Sequence, residues 1–371
     1  MKIIFCGGGT AGHITPALAI AKELKRVNNK NEILFIGRDG GVENDLIAKA
    51  GFAYTTIPAS GIQRKITLKN IKALSNAFRG KNEAKKIIRA FSPDAIIGTG
   101  GYVCWPVITA GVKMNIPVFI HESNVYPGLT TRLLAKKCNT VFLYNEESVK
   151  FLPSKTNFSV VGNPISRDFF TISKKDARKE LGLKPKDVFI LSFGGSLGAQ
   201  RINESAISVM KTYSSKKEDV LHIHATGRAN YKSEYKTLFT EESGCKIIPF
   251  LDNMPIYMKA ADIVICRSGA MTVAELAASG TSAILIPSPN VADNHQMKNA
   301  HALSDKNAAI IIEESNLSDI SLKEKIKHLT NHPEERKRLS KCIELFAKKD
   351  VETRILSEVI SSIKHRQKIT K

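Results

Sequence analysis

The chain has 371 residues, enough for one to three domains with cores of their own. Its apolar content of 43% is that of an ordinary globular protein, and no apolar run approaches the roughly 20 residues a membrane-spanning helix needs. The formal net charge of +20 calls for an anionic partner, whether nucleic acid, a phosphate-rich substrate or an acidic membrane surface, without choosing among them.

Lys2-Ile-Ile-Phe-Cys6 reads as a strand running straight into glycines, which is not the pattern of a signal peptide. Gly7, Gly9 and Gly12 spell G-x-G-x-x-G, and a helix is expected from Pro16 to about Arg26 with Thr15 as its cap. The next strand, from Glu32, ends in Gly37-Arg38-Asp39, so a dinucleotide-dependent dehydrogenase stays open, with Arg38 suited to a 2′-phosphate. Gly61 to Phe91 is basic and helical. Strands follow at Asp94–Ile97, ending in Gly98-Thr-Gly-Gly-Tyr102, and at Ile116–Ile120, ending in His121-Glu-Ser-Asn124. A helix over Gly128–Lys137 and strands at Thr140–Leu143 and Ser159–Val161 complete the first half, and Gly162-Asn-Pro164 punctuates the chain.

The second half repeats this opening. Val188–Ser192 is a strand into Gly194-Gly-Ser-Leu-Gly198, with a helix from about Arg201. Leu221–His224, Lys246–Ile248, Ile263–Ile265 and Ala283–Ile286 are further strands, with His222 and His224 read as core and surface neighbours. Ala270 to Ala278 reads as a helix stopped by Gly280. Pro333 starts another helix, and Asp350 caps a last one through Ile363. Strand–helix alternation of this kind implies mostly parallel sheets covered on both faces, in two doubly wound α/β domains. The six cysteines are scattered without a C-x-x-C pair, which gives no support to a zinc or redox motif and fits a reducing compartment.

The turn Arg267-Ser268-Gly269 and the helix behind it suit a phosphate, with free N–H groups, a close backbone approach at Gly269 and the charge of Arg267. Glu275, one turn in, can accept from two ribose hydroxyls, although Thr272-Val-Ala-Glu275 also fits a capping box. His13, between a glycine loop and a helix, is either the natural general base, since an imidazole titrates near about 6.5, or a structural histidine bonding a loop carbonyl. His121-Glu122 is a second titratable pair, and Gln296 and Asn299 offer amides for sugar hydroxyls. No D-x-D occurs, so a nucleotide-sugar transferase here lacks the usual metal clamp and relies on helix dipole, amides and Arg267. The stretch Leu68 to Arg79 has apolar residues at helical spacing among Arg64, Lys65, Lys69, Lys72, Arg79 and Lys81, a pattern that fits a core helix with a solvated charged back and can also lie on an anionic bilayer.

Seven motifs occur in one order: Gly8-Gly-Thr-Ala-Gly-His13, Gly100-Gly-Tyr102, His121-Glu-Ser-Asn124, Val161-Gly-Asn-Pro164, Gly194-Gly-Ser-Leu-Gly-Ala199, Cys266-Arg-Ser-Gly-Ala-Met-Thr-Val-Ala-Glu275 and Asp293-Asn-His-Gln296. In this the chain closely resembles, over nearly its whole length, the MurG family of bacterial glycosyltransferases. Members add N-acetylglucosamine to lipid I, the lipid-linked muramyl-pentapeptide, to make lipid II for peptidoglycan. The resemblance implies the GT-B fold, two Rossmann-like domains facing across a cleft. Residues 1–163 would be the acceptor- and membrane-binding domain and 164–345 the UDP-sugar domain, with 346–371 a helix packing back on the first.

The resemblance also implies roles. His13, Glu122 and Arg267 would be catalytic. UDP-N-acetylglucosamine would lie against Thr10, Ala11, Gly12, Asn124, Ser166, Arg167, Ser196, Leu251, Ala270, Met271, Thr272, Val273, Ala274, Glu275 and Gln296. Gly9, Tyr102 and His121 would face the acceptor. Two positions depart from the family pattern: Ser123 stands where Gln is usual, and Ser166 where Arg is usual, with Arg167 one step later. The expected reaction is an inverting transfer to the muramyl 4-hydroxyl, with no metal or other cofactor, at the cytoplasmic face of the bacterial plasma membrane. The partners are then undecaprenyl-linked lipid I and the anionic membrane surface, not nucleic acid. A UDP-N-acetylglucosamine 2-epimerase on the same fold and a non-enzymatic basic protein binding membranes or nucleic acid are the alternatives.

Overall fold

A computed structural model describes residues 1–9, 11–41, 43–61, 68–214, 219–291 and 294–369. The chain divides into two compact units, Met1–Ile165 with Asp350–Lys371, and Ser166–Lys349. The first holds β1 (Lys2–Cys6), β2 (Glu32–Arg38), β3 (Ala53–Ile57), β4 (Ala95–Gly98), β5 (Val118–Glu122), β6 (Thr140–Leu143) and β7 (Phe158–Val160). They form one sheet in the order β3-β2-β1-β4-β5-β6-β7, with neighbouring strands parallel. The second unit holds β8 (Val188–Phe193), β9 (Val220–Ala225), β10 (Cys245–Ile248), β11 (Ile263–Cys266), β12 (Ser282–Leu285) and β13 (Ile310–Ile311). Their order, β10-β9-β8-β11-β12-β13, is again parallel throughout.

Parallel neighbours need crossovers, and the helices that make them cover both faces of each sheet. Strands buried on both faces explain the near-continuous apolar runs. Ile3, Ile4, Phe5 and Cys6 of β1 are all at most 1% exposed. On one face Phe5 stacks on Phe35 and Phe119 on Phe142, with ring centroids 5.3 and 6.0 Å apart. The final helix, Val351–Ile369, closes that face: Val351, Ile355, Leu356, Val359 and Ile363 join Ile14, Ile20 and Leu24 of the first helix in one core. The backbone N–H of Ile165 donates to Glu352 at 2.7 Å, pinning the point where the chain leaves the first unit.

In each sheet the connection order reverses beside the first strand. Ile4 of β1 lies between Leu34 of β2 and Ile96 of β4, and Ile190 of β8 lies between His222 of β9 and Ile263 of β11. These are the topological switch points at which open α/β sheets bind ligands, beyond the carboxyl ends of the strands. Gly7–Gly9 and Thr99–Gly101 follow β1 and β4, and Gly194–Gly198 and Arg267–Gly269 follow β8 and β11.

Some local expectations need correction. The first helix is Ala11–Val27, so Thr15 and Pro16 lie inside it rather than opening it. The helix begins as soon as the glycine turn ends, and Pro16, near its start, costs only the bond to the Gly12 carbonyl. The basic helix is Leu68–Phe91; residues 62–67, including Arg64 and Lys65, lie outside the described residues. The helix after Gly128 is Leu129–Leu134, continued by a single 3-10 turn to Lys137. His222 and His224 are both fully buried, because residues two apart on a strand share a face.

Candidate functional site

In the first unit the loop after β1 and the loop after β4 lock around His13. The His13 Nδ1 lies 3.1 Å from the Gly8 carbonyl, and the His13 carbonyl accepts from Thr99 Oγ1 at 2.5 Å. A carbonyl only accepts, so Nδ1 carries the proton and the lone pair is on Nε2, the form a general base needs. Space for the ring depends on missing side chains. A Cβ on Gly100 would come within 2.8 Å of His13 Cδ2, and one on Gly101 within 2.0 Å of the Gly8 carbonyl oxygen. Gly101 also has φ +82. Gly101→Ala therefore forces a left-handed conformation, costing about 1–2 kcal/mol, onto a direct backbone clash. It is expected to lower the thermal midpoint and abolish activity together, as a melt alongside a turnover assay would show.

A residue not read from the sequence supports this loop from below. Glu43 is 0% exposed and takes the Gly9 N–H at 3.4 Å and the Arg38 N–H at 3.3 Å. A Cβ on Gly8 or Gly41 would strike its carboxyl at 2.3 and 2.4 Å. The spacing Gly37, Gly41, Glu43 after β2 was the available signal. This corrects the dinucleotide reading of the loop, because the Gly9 amide, which a pyrophosphate would need, is already taken. Tyr102 lies over Gly9, whose Cβ would meet its ring at 2.9 Å. Burial, partly offset by Arg38, raises the Tyr102 phenol, which keeps it protonated as a hydrogen-bond donor.

His121 and Glu122 do not form a reactive pair. His121 is 0% exposed, within 2.9 Å of the Gly162 carbonyl through Nε2, and burial lowers its pKa to about 4. It cannot touch an acceptor and serves the core. Glu122 is 5% exposed, and both its oxygens are engaged. It accepts from Asn124 N at 3.0 Å, Asn124 Nδ2 at 3.1 Å, Gly128 N at 2.9 Å and Thr131 Oγ1 at 2.7 Å. The geometry makes it a positioning residue, not a proton carrier: it ties the loop to the next helix and orients the Asn124 amide.

In the second unit the helix Ala270–Ser279 starts at Gly269, whose φ −62 and ψ 146 are those of an N-cap without a side-chain cap. The capping box through Thr272 is therefore not formed, since the helix opens at Gly269 with no side-chain cap. Glu275 is only partly buried as a residue, yet among the described residues its carboxylate has no hydrogen-bond or ion-pair partner. Burial pushes its carboxyl up to about 8. The helix ends where Gly280 takes φ +64. Ala270, Met271 and Val273 are 8%, 8% and 3% exposed, so their backbone rather than their side chains can meet a ligand. Thr272 and Ala274 are partly exposed beside them.

Arg267 corrects another expectation. Its guanidinium pairs with Glu314 and donates to the Ile286 and Pro287 carbonyls, each at 3.1 Å. The charge is committed to fastening the chain beyond β12, so Arg267 is not a free cation for a leaving group. Gln296 accepts from Ser288 N at 2.9 Å through Oε1, so its Nε2 group is the donor end of the amide. Ser268 and Asn299 bind the same turn: Ser268 Oγ donates to the Gln296 carbonyl at 2.8 Å, and Asn299 Nδ2 to the Ser268 carbonyl at 3.1 Å.

Across β11, Ser196 is exposed at the tip of Gly194–Gly198, where Gly195 and Gly198 have φ +91 and +77. Leu251 is 5% exposed, beside Phe250, whose ring Arg228 covers at 4.8 Å. Ser166 and Arg167 open the second unit, and the Ser166 hydroxyl is engaged locally with Asp168 at 2.9 Å. Gly12 is exposed at the start of the first helix; Thr10, Asp293 and the Ala11 side chain lie outside the described residues.

Residues 3–143 match the glycosyltransferase family 28 N-terminal domain, and residues 189–355 its C-terminal domain. A relative from Thermoanaerobacter sp. (strain X514) is 41% identical over 90% of this chain and 92% of its own. It is named UDP-N-acetylglucosamine--N-acetylmuramyl-(pentapeptide) pyrophosphoryl-undecaprenol N-acetylglucosamine transferase. Among solved structures, Acinetobacter baumannii MurG superposes with TM-score 0.72 at 24% identity, covering 97% of this chain and 99% of that one. A UDP-GlcNAc 2-epimerase from Neisseria meningitidis gives TM-score 0.67 at 14% identity over 98% and 100%, a likeness of fold alone. The fold is therefore GT-B, and the chain belongs to glycosyltransferase family 28 and, within it, to the MurG transferases.

Proposed function

We propose that this chain is the transferase that moves N-acetylglucosamine from UDP-N-acetylglucosamine to the 4-hydroxyl of the muramyl sugar of lipid I, giving lipid II. The observation that carries this reading is the 41% identity over 90% of the chain to a transferase of that name. The epimerase alternative has only a shared fold, at 14% identity, behind it. In this mechanism the acceptor hydroxyl attacks the anomeric carbon from the face opposite UDP, and the His13 Nε2 lone pair takes its proton. The leaving diphosphate gathers negative charge as the bond breaks. Amides at the start of Ala270–Ser279 and in the Gly194–Gly198 loop, with the Ser196 hydroxyl, stabilise that charge without a metal. Glu275 accepts from the ribose hydroxyls, the Leu251 backbone faces the base, and the Gln296 amide donates to the donor sugar. Tyr102 and the Asn124 amide meet the acceptor side. Incubation with labelled UDP-N-acetylglucosamine and a lipid I analogue is expected to yield the disaccharide product equally with and without a chelator. Formation of UDP-N-acetylmannosamine instead would favour the epimerase.

A second reading concerns where the reaction occurs. Ile71, Leu74 and Phe78 of the helix Leu68–Phe91 are 68%, 52% and 54% exposed. Phe78 packs edge-on against Trp105 at 6.0 Å, and the Lys81 ammonium lies 5.7 Å from the Trp105 ring. Burial, and then repulsion from Lys113, Lys85 and Lys137, lowers the Lys81 pKa, which marks a concentrated basic cluster beside the apolar surface. Such a surface suits the anionic cytoplasmic face of the plasma membrane. Among the described residues no helix is long and apolar enough to cross a membrane. Vesicles rich in anionic lipid are expected to sediment the protein, and Phe78→Asp to reduce the bound fraction severalfold without altering UDP affinity. Equal binding to neutral vesicles would overturn the electrostatic part of the reading. Binding to nucleic acid that outlasted added UDP-sugar would overturn the exclusion of that partner.

A further inference from the structure

Beneath the Gly194–Gly198 loop runs a buried file of polar side chains. The Tyr213 hydroxyl meets His222 Nδ1, His222 Nε2 lies 2.6 Å from Ser192 Oγ, and Ser192 Oγ lies 2.7 Å from His224 Nδ1. His224 Nε2 lies 3.1 Å from Asn203 Oδ1, and Asn203 Nδ2 donates to the Thr226 carbonyl at 3.0 Å. Ser192, His222 and His224 are 0% exposed and Asn203 is 5% exposed.

The direction of every proton follows from the last link. The Thr226 carbonyl only accepts, so the Asn203 amide nitrogen faces it and Asn203 Oδ1 faces His224. His224 Nε2 is then the donor, and its Nδ1 is a lone pair that accepts from the Ser192 hydroxyl. Having given its proton to His224, Ser192 Oγ accepts from His222 Nε2–H, which leaves His222 Nδ1 to accept from Tyr213. The file is neutral and runs one way. Burial holds both histidines well below their ordinary pKa, His224 at about 4, so no second proton enters it near neutral pH.

The Thr226 carbonyl at its end is also the floor of the glycine loop. A Cβ on Gly198 would lie 2.1 Å from that oxygen, and one on Gly227 would lie 2.6 Å from Gly198 N. Asn230 Nδ2 fastens the Leu197 carbonyl at 2.8 Å.

We propose that this one-way hydrogen-bond file makes Asn203 and His224 positioning residues for the donor diphosphate, by fixing the Thr226 carbonyl on which the Gly194–Gly198 loop rests. The inference rests on the proposed function for what the loop binds, but not for the file itself. Asn203→Asp keeps the acceptor for His224 and turns the donor toward Thr226 into a second acceptor. It is expected to raise the donor KM about tenfold, to leave the acceptor KM unchanged, and to speed amide exchange at Gly195 and Gly198. Tyr213→Phe removes only the first donor and leaves every later proton where it was, so its donor KM is expected to stay within about twofold of wild type. Asn203→Ser carries the same expectation should the aspartate variant not fold. An unchanged donor KM and loop exchange in the Asn203 variants overturns the proposal. So does a donor KM raised equally by Tyr213→Phe, which would mean a general packing role. Exchange needs no substrate, so a wild-type protein that transfers no sugar overturns the functional reading while the exchange data still decide the file.

Discussion

Replacing His13 with alanine is expected to lower turnover by about 10²–10⁴-fold while UDP affinity stays within about twofold of wild type. The size is that of a lost general base, not of lost catalysis altogether. Enzymes accelerate their reactions by about 10⁶-fold or more, and the remainder here resides in leaving-group stabilisation and alignment, which the substitution leaves in place. The direction of the pH effect follows from the tautomer. With Nδ1–H held on the Gly8 carbonyl at 3.1 Å, the base is the neutral ring, so wild-type kcat should fall as the pH drops and the ring protonates. The alanine variant should lose that acid limb and keep a flat, low rate. Steady-state turnover across pH 5.5–8.5, with UDP titration on the same samples, measures both. Because Gly100 and Gly101 are shaped around the ring, a melt must accompany the assay. Full turnover in a folded His13→Ala protein would remove His13 from the chemistry.

What the sequence made legible was periodic and local. β1, β4, β8 and β11 are apolar runs broken by glycine, and parallel order then places their loops at the two switch points. The helix Cys104–Lys113 escaped notice because seven of its ten residues are buried, which erases the one-sided pattern that periodicity detects. β3 escaped because Ala53 and Tyr54 are exposed at a sheet edge. Long-range partners were the larger blind spot. Arg267 reads as a spare cation until Glu314 is beside it, and Glu122 reads as a titratable group until Asn124, Gly128 and Thr131 surround it. Glu43, which takes the Gly9 amide, is signalled only by its spacing from Gly37 and Gly41, and Asn203, which donates to the Thr226 carbonyl, carries no motif a single sequence exposes. His13 and Glu275 could be singled out because each sits within two turns of a glycine loop, where local spacing sets the geometry.

UDP binding is expected to strengthen about tenfold between pH 7 and pH 9, and Glu275 is the reason. Burial pushes its carboxyl up to about 8, so at pH 7 roughly a tenth of the molecules hold it ionised and at pH 9 roughly nine tenths. Two ribose hydroxyls both donate, and only the carboxylate can accept from both oxygens, so the binding-competent fraction sets the apparent affinity. Binding below pH 8 should release a proton, visible in calorimetry as a heat that varies with the buffer's ionisation enthalpy. Glu275→Gln should bind UDP weakly and without this pH dependence. Glu275→Ala should cost about 1.5–3 kcal/mol at pH 9, the worth of a hydrogen bond to a charged group, or about 10- to 100-fold in affinity. The ligand-free protein supplies the opposite sign. A carboxyl raised in the folded state binds its proton more tightly there than in the unfolded chain. It therefore lowers stability as the pH climbs from its ordinary 4.5 through about 8. Glu275→Gln should therefore melt higher than wild type at pH 9 while binding UDP less well. A pH-independent wild-type affinity across this range, or a glutamine variant that binds UDP as tightly as wild type at pH 9, would take the ribose contact away from Glu275.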